Sequence, residues 1–234
     1  SAAFMMGYSQ LTNDGSINIQ TGAVLVVEGD IINNDGSSML IDGTVEAKGD
    51  FTNNNTTTAA IDAASGGLIK FNGSAAQVIN GTEETTFHCD VEVDNALGLT
   101  LASVNETIEG DLTFTDGIVT LGAYNLTLGA ATTVSRTSGH VDATGAGELI
   151  KKVSALGTYT AHIGDATNYT PVDYSFNSGT LGASPTIGAK VKATAHPNLP
   201  TSTDYISRYW SLSSNDITTF DCDLTFNFVA GDLT

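Results

Sequence analysis

The chain has 234 residues, 26 of them acidic and 8 basic, giving a formal net charge of −18. That length is enough to bury the core of one or two domains. The scarcity of Lys and Arg excludes nucleic acid as a partner, because phosphate binding needs clustered bases to release counterions. Purely apolar runs such as Ala23 to Val27, which no other run exceeds, fall far short of the roughly 20 residues of a spanning helix, so no transmembrane segment is expected.

The opening SAAFMMGY is apolar and is expected either to cap the fold or to join it to another subunit. Short alternating runs follow: Ile17-Asn18-Ile19, Val45-Glu46-Ala47, Val91-Glu92-Val93, Leu99-Thr100-Leu101, Leu112-Thr113-Phe114 and Leu126-Thr127-Leu128. Each turns two apolar side chains one way and a polar one the other, as in a strand with one buried face. No long apolar pattern at i, i+3, i+4 competes with them, so the fold class is all-β.

The stretch Gly29-Asp30-Ile31-Ile32-Asn33-Asn34 returns as Gly49-Asp50-Phe51-Thr52-Asn53-Asn54, and Gly110-Asp111-Leu112 repeats its start. Self-similarity at a period of about 20 residues marks a solenoid, whose units bury their apolar faces against one another. The spacing predicts a right-handed parallel β-helix with an N-terminal cap over residues 1–155. At about 4.8 Å per coil its repeats make about six coils, a rod roughly 30 Å long. Glycine accepts the backbone of a tight corner, Asp accepts hydrogen bonds from amides beyond it, and stacked asparagines can bond along the axis.

Composition changes near residue 155. All four prolines, Pro171, Pro185, Pro197 and Pro200, follow it, with five of the seven tyrosines and the single Trp210. Proline interrupts sheet ladders, so edge strands and real loops are expected there. YISRYWSLS from Tyr205 and FDCDLTFNF from Phe220 read as an antiparallel, sandwich-like module over residues 156–234, expected to be incomplete. Cys89 and Cys222 have no metal-ligand spacing and are expected to be unpaired, buried small hydrophobes.

Parallel β-helices can carry polysaccharide lyases or hydrolases. A lyase needs a base beside an acidic groove, yet residues 10–149 offer only Lys48, Lys70 and Arg136 for that role, at unrelated coil positions. Asp30 and Asp50, one coil apart, could pair as in a glycosidase, although their shared Gly-Asp context points to corner chemistry. The corner carboxylates Asp30, Asp35, Asp42 and Asp50 are the candidate calcium ligands, calcium being a hard cation that takes several oxygens. His88, His140, His162 and His196 lack ligand spacing and read as structural or surface residues.

Residues 77 to 176 carry, in order, QVINGTEETTFHCDVEVDNALGLTL, IEGDLTFTDGIVTLGAYNLTLG, GHVDATGAGELIKKV and YTAHIGDATNYTPVDYSF. These blocks resemble the strand-rich repeat region of large secreted surface proteins of Bacteroidota, and Arg208-Tyr209-Trp210 resembles the Arg-x-Trp that opens their following sandwich. The chain departs from that pattern at Phe87-His88-Cys89 and at Ala161-His162-Ile163-Gly164. The resemblance implies type IX secretion, a cell-surface or extracellular location, and a role in adhesion, gliding or matrix building. The expected function is therefore a non-catalytic, rigid, multivalent rod. Its expected partners are other surface or matrix proteins, polysaccharide, or further copies joined through coil ends or strand exchange. The alternative is a carbohydrate-active enzyme or carbohydrate-binding module on the same scaffold.

Overall fold

The computed structural model of the chain describes residues 8–57, 59–199 and 204–233, so residues 1–7 of the expected cap lie outside it. From residue 10 to 164 the chain winds through about seven turns of a parallel β-solenoid with three faces. The first face stacks Tyr8–Asn13, the Ile31 to Asn33 end of Val24–Asn33, Phe51–Asn53, Gln77–Gly81, Leu99–Leu101, Ile118–Thr120, His140–Asp142 and Ile163–Gly164. The second carries Ser16–Ile19 and Ser38–Ile41, then Thr86–Phe87, Glu106–Ile108, Leu126–Leu128 and Leu149–Lys152. The third runs from the Val24 to Val27 end of the long strand through Thr44–Ala47, Leu68–Phe71, Asp90–Asp94 and Leu112–Asp116 to Val134–Arg136.

Along the third face Leu25 pairs with Val45, Val45 with Ile69, Ile69 with Val91, Val91 with Leu112, and Leu112 with Val134, steps of 20, 24, 22, 21 and 22 residues. The period drifts because corners accept insertions while each strand keeps its alternation. Most inward positions then form apolar columns, such as Val45–Ile69–Val91–Leu112, with all four side chains at 2% exposure or less. Phe51, Phe71 and Phe87, one from each face, meet on the axis with ring centroids 5.6 and 6.3 Å from Phe87. Tilted and edge-on pairs of this kind add about 0.5–1.5 kcal/mol beyond the area they bury.

The repeated Gly-Asp corners work as the sequence suggests. Asp30 Oδ1 accepts the amide of Asp50 at 2.9 Å, and Asp50 Oδ1 accepts that of Val78 at 2.8 Å. Asp90 and Asp111 do the same for Asp111 and Thr133, both at 2.8 Å. At another corner Asn105 accepts the amide of Asn125, which in turn accepts that of Glu148, each at 2.9 Å. Each side chain thus satisfies a backbone donor of the next coil at the point where the strand ladder is interrupted.

Asparagines also stack inside. Asn13 donates to Asn33 Oδ1 at 2.7 Å, and Asn53 continues the column with bonds to the carbonyls of Glu83 and Glu84 at 3.3 and 3.1 Å. All three are buried, so every amide hydrogen bond spares a desolvation cost. Gly81 takes the next place, with φ +135°, where a Cβ would lie 1.9 Å from the Asn53 carbonyl oxygen.

The β-rich region after the solenoid is a mixed sheet dominated by the hairpin of Val172–Lys192 and Tyr209–Phe226. One half of the first strand pairs antiparallel with Thr158–Ala161, and the other with Leu149–Lys152, which extends the second face. The ribbon bends through the irregular register between Phe176 and Thr186, opposite positive φ values at Asp216 and Thr219. Its halves then face each other, with the Tyr174 hydroxyl donating to the Gly188 carbonyl at 3.0 Å and the Trp210 and Phe226 rings 5.1 Å apart. This layering is sandwich-like, but its layers are continuous with the solenoid.

Cys89 and Cys222 are both free, as expected, but the expected burial holds for Cys89 alone: Cys222, on the second hairpin strand, is only half-buried. Cys89 is buried in the core, and burial pushes its thiol up to about 12. In a native thiol titration, Cys222 alone should react, Cys89 joining only after denaturant is added. Gly81→Ala is expected to destabilise the chain by about 1–3 kcal/mol in equilibrium denaturation, since it combines a left-handed backbone with a backbone clash.

Candidate functional site

The four aspartates predicted to bind calcium fall at three different corners. Asp30 and Asp50 share the corner leading into the first face, Asp35 follows the first face, and Asp42 follows the second. Three of them are already acceptors. Asp30 and Asp50 cap amides as above, and Asp35 Oδ1 accepts the amide and hydroxyl of Thr56 and the hydroxyl of Thr57 at 2.9, 2.8 and 3.1 Å. Those bonds, the Thr56 hydroxyl foremost, lower the Asp35 carboxyl below its ordinary range. The four do not make one calcium site, and among the described residues no group of three or more His, Cys, Asp or Glu converges as a metal centre would require.

Of the three bases in residues 10–149, two are committed to the third face. Lys48 pairs with Glu46 at 2.9 Å, and Lys70 with Glu92 and Asp94 at 3.2 and 2.6 Å. Arg136 is different. Among the described residues it has no carboxylate partner; its Nε donates to the Gly139 carbonyl at 3.0 Å, and its guanidinium lies 3.8 Å over the Tyr169 ring.

Around that ring the structure gathers residues the sequence scattered. His162 stacks beside Tyr169 at 6.0 Å, with Nδ1 2.7 Å from the phenol oxygen. His140 lies 5.8 Å from the ring, and its Nε2 donates to the Asp165 carbonyl at 2.7 Å. Burial lowers the pKa of both histidines and favours neutral imidazoles.

The loop carrying Tyr169 is held from behind. Asp165 accepts the amides of Thr167 and Asn168 at 2.8 Å and the Nη2 of Arg208 at 2.7 Å; Arg208 also donates from Nε to Asp232 at 2.8 Å. Burial alone would raise the Asp165 carboxyl, but the Arg208 bond and the two amides outweigh it and hold it well below the usual carboxylate range. Arg208, just before the strand Tyr209–Phe226, therefore ties the solenoid's last rung to the short 3-10 helix Ala230–Asp232 that follows the hairpin.

In front of this loop lies a shallow trough along the corner between the third and first faces. One lobe, about 240 Å³, is lined by Asp116, Arg136, Ser138, His140, Thr167 and Tyr169 over Ala96, Gly117, Ile118 and Gly139. A second lobe, about 220 Å³, shares Ala96 and Ile118 and reaches Thr100, Thr120 and Ala166. Its floor is bare backbone of necessity. Gly117 and Gly139 have φ near +90°, and a Cβ there would lie 1.9 Å from the Asn95 oxygen or 2.0 Å from that of Gly117.

A separate apolar cleft of about 370 Å³ opens beside Val134, lined by Leu128, Leu149, Tyr159, Ala161, Tyr174 and Ile187 among others. It stands where the third face has run out of strands while the other two continue. Lys151 lies in it but is spent on the carbonyls of Gly129 and Thr132, at 2.5 and 2.6 Å.

Sequence reading also passed over Glu106. Glu106-Thr107-Ile108 pairs with Leu126-Thr127-Leu128, so the carboxyl sits where its neighbour has an inward leucine. It is 1% exposed; Oε2 accepts the Thr85 amide at 2.7 Å, and Oε1 has no partner among the described residues. Burial pushes its pKa up to about 8.

No family model, curated protein or solved structure matches the chain.

The Glu106 shift has a definite sign. The folded state keeps a proton that the unfolded chain releases above about 4.5, so this contribution to stability is full below that pH and is lost as pH rises through about 8. Glu106→Gln should flatten the decline: melting temperatures measured from pH 5 to 9 are expected to fall in the wild type and to change far less in the variant.

Proposed function

We propose that the chain is a rigid, non-catalytic segment of a secreted bacterial surface protein, acting as a spacer and adhesive rod. The observation that carries this reading is the continuity of coil-over-coil bonding, in which strand ladders and corner Asp and Asn side chains tie successive turns together. A quasi-one-dimensional stack of this kind holds a surface at a fixed distance, and its repeated faces allow many weak contacts to add as avidity. The resemblance of residues 77–176 to Bacteroidota surface proteins supports export by type IX secretion and partners among surface or matrix proteins and polysaccharide. Strand exchange between copies is part of the same reading, since the edges of Ser16–Ile19 and Val134–Arg136 end their stacks of strands.

The neutral, hydrogen-bonded histidines and the amide-capped Asp30 and Asp50 favour binding over chemistry. Incubation with acidic and neutral polysaccharides, with and without millimolar calcium, is expected to leave polymer length unchanged. New reducing ends or unsaturated products would overturn the non-catalytic reading. Antibodies against the chain should label intact cells of its source, and signal only after lysis would remove the surface location.

A further inference from the structure

The geometry points to the trough beside Arg136 and Tyr169 as a binding site for a short acidic oligosaccharide, with a single sugar carboxylate on Arg136 and neighbouring sugars along Thr120 and Thr100. This specifies a ligand class for the adhesive reading above, and rests on it.

Charge supplies the first argument. Lys48 and Lys70 are neutralised by adjacent carboxylates, whereas the Arg136 guanidinium is fixed by Tyr169 and Gly139, with Nη1 and Nη2 left without a partner among the described residues. A guanidinium held on an aromatic face is preorganised, and its fork matches the two oxygens of a carboxylate. Its ring support is itself fixed, because Tyr169 bonds His162 and its loop is anchored through Asp165 to Arg208. Arg208 is thus a positioning residue for the site.

Shape and polarity supply the second. The hydroxyls of Thr100, Thr120 and Ser138 have no partner among the described residues, although all three line the trough. Asp116 uses Oδ1 on the Gly117 amide, which leaves its other oxygen to accept a sugar hydroxyl. The glycine and alanine floor lets a flat ring approach the backbone, and the two lobes share Ala96 and Ile118 while Thr120 and Thr100 are partners on adjacent coils, so an elongated, hydroxyl-rich ligand fits better than a compact one. A peptide strand fits poorly, because the backbone here is already engaged within and between coils, as in Gln77 N–H to Gly98 O and Gly98 N–H to Asn95 O. The net charge of −18 disfavours a long polyanion at a distance, while one carboxylate docks within the ~8 Å over which physiological salt leaves local charges effective.

The test uses the full chain and trisaccharides containing one uronic acid, each paired with its carboxyl-reduced counterpart, in calorimetry and ligand-observed NMR. The acidic form should bind at least tenfold more tightly than the reduced form. Arg136→Gln should remove that preference, and Arg136→Lys should restore only part of it. Thr120→Val, away from the anchored loop, should weaken both forms alike with an unchanged melting temperature. Equal binding of acidic and reduced forms, binding unaffected by Arg136→Gln in a folded variant, or no binding to any acidic trisaccharide would overturn the proposal. The last result would leave the non-catalytic rod intact, so failure of this site is distinct from failure of the rod reading, which cleavage of polysaccharide would reveal.

Discussion

Stacking one coil on the next at the spacing of a parallel sheet, about 4.8 Å, is the constraint on which the rest of this structure depends. Strands meet it with their own ladders, but corners must bring backbone to the same distance without a ladder's regular bonds. The chain answers with two residue types. Glycine removes the Cβ where coils touch, as at Gly49, Gly67, Gly110 and Gly147, where an added Cβ would sit 2.4 Å or less from backbone of the coil beneath. Asp or Asn then accepts the amide left over at the corner, as Asp30, Asp50, Asp90, Asp111, Asn105 and Asn125 do.

The same constraint explains the polar residues inside. A column of apolar side chains would suffice for burial, but Asn13, Asn33 and Asn53 replace part of it with an amide column that fixes axial register. Fully bonded networks specify a unique alignment, whereas a half-bonded group carries a cost. Glu106 is the half-bonded case: one oxygen satisfied by Thr85, the other bare, and a proton retained as the least costly solution.

Chemistry concentrates where the solenoid stops repeating. Mid-rod corners use their polar atoms on one another, so little is left to offer a ligand. At the far end the third face stops at Val134–Arg136, longer connections fold over the last rungs, and the hairpin must be tied down through Arg208. That termination brings Arg136, His140, His162 and Tyr169 together, and leaves an apolar cleft where a strand would otherwise lie. Loops held by a rigid scaffold commonly carry binding for this reason.

The sequence by itself determined the all-β class, the coil period and the meaning of Gly29-Asp30 and Gly49-Asp50, because alternation and corner chemistry are local and recur with every coil. It could not place Asp30, Asp35, Asp42 and Asp50 around the rod, since variable corner lengths erase the link between sequence spacing and angular position. Glu106 was legible in principle, as a Glu in a Leu-x-Leu register, but only the inward direction of that register gives it meaning. The pairing of Arg136 with Tyr169 was decided by tertiary structure alone. Those residues lie on different turns, and what joins them is the fold-over of the last rung held by Asp165 and Arg208, a contact that no local pattern encodes.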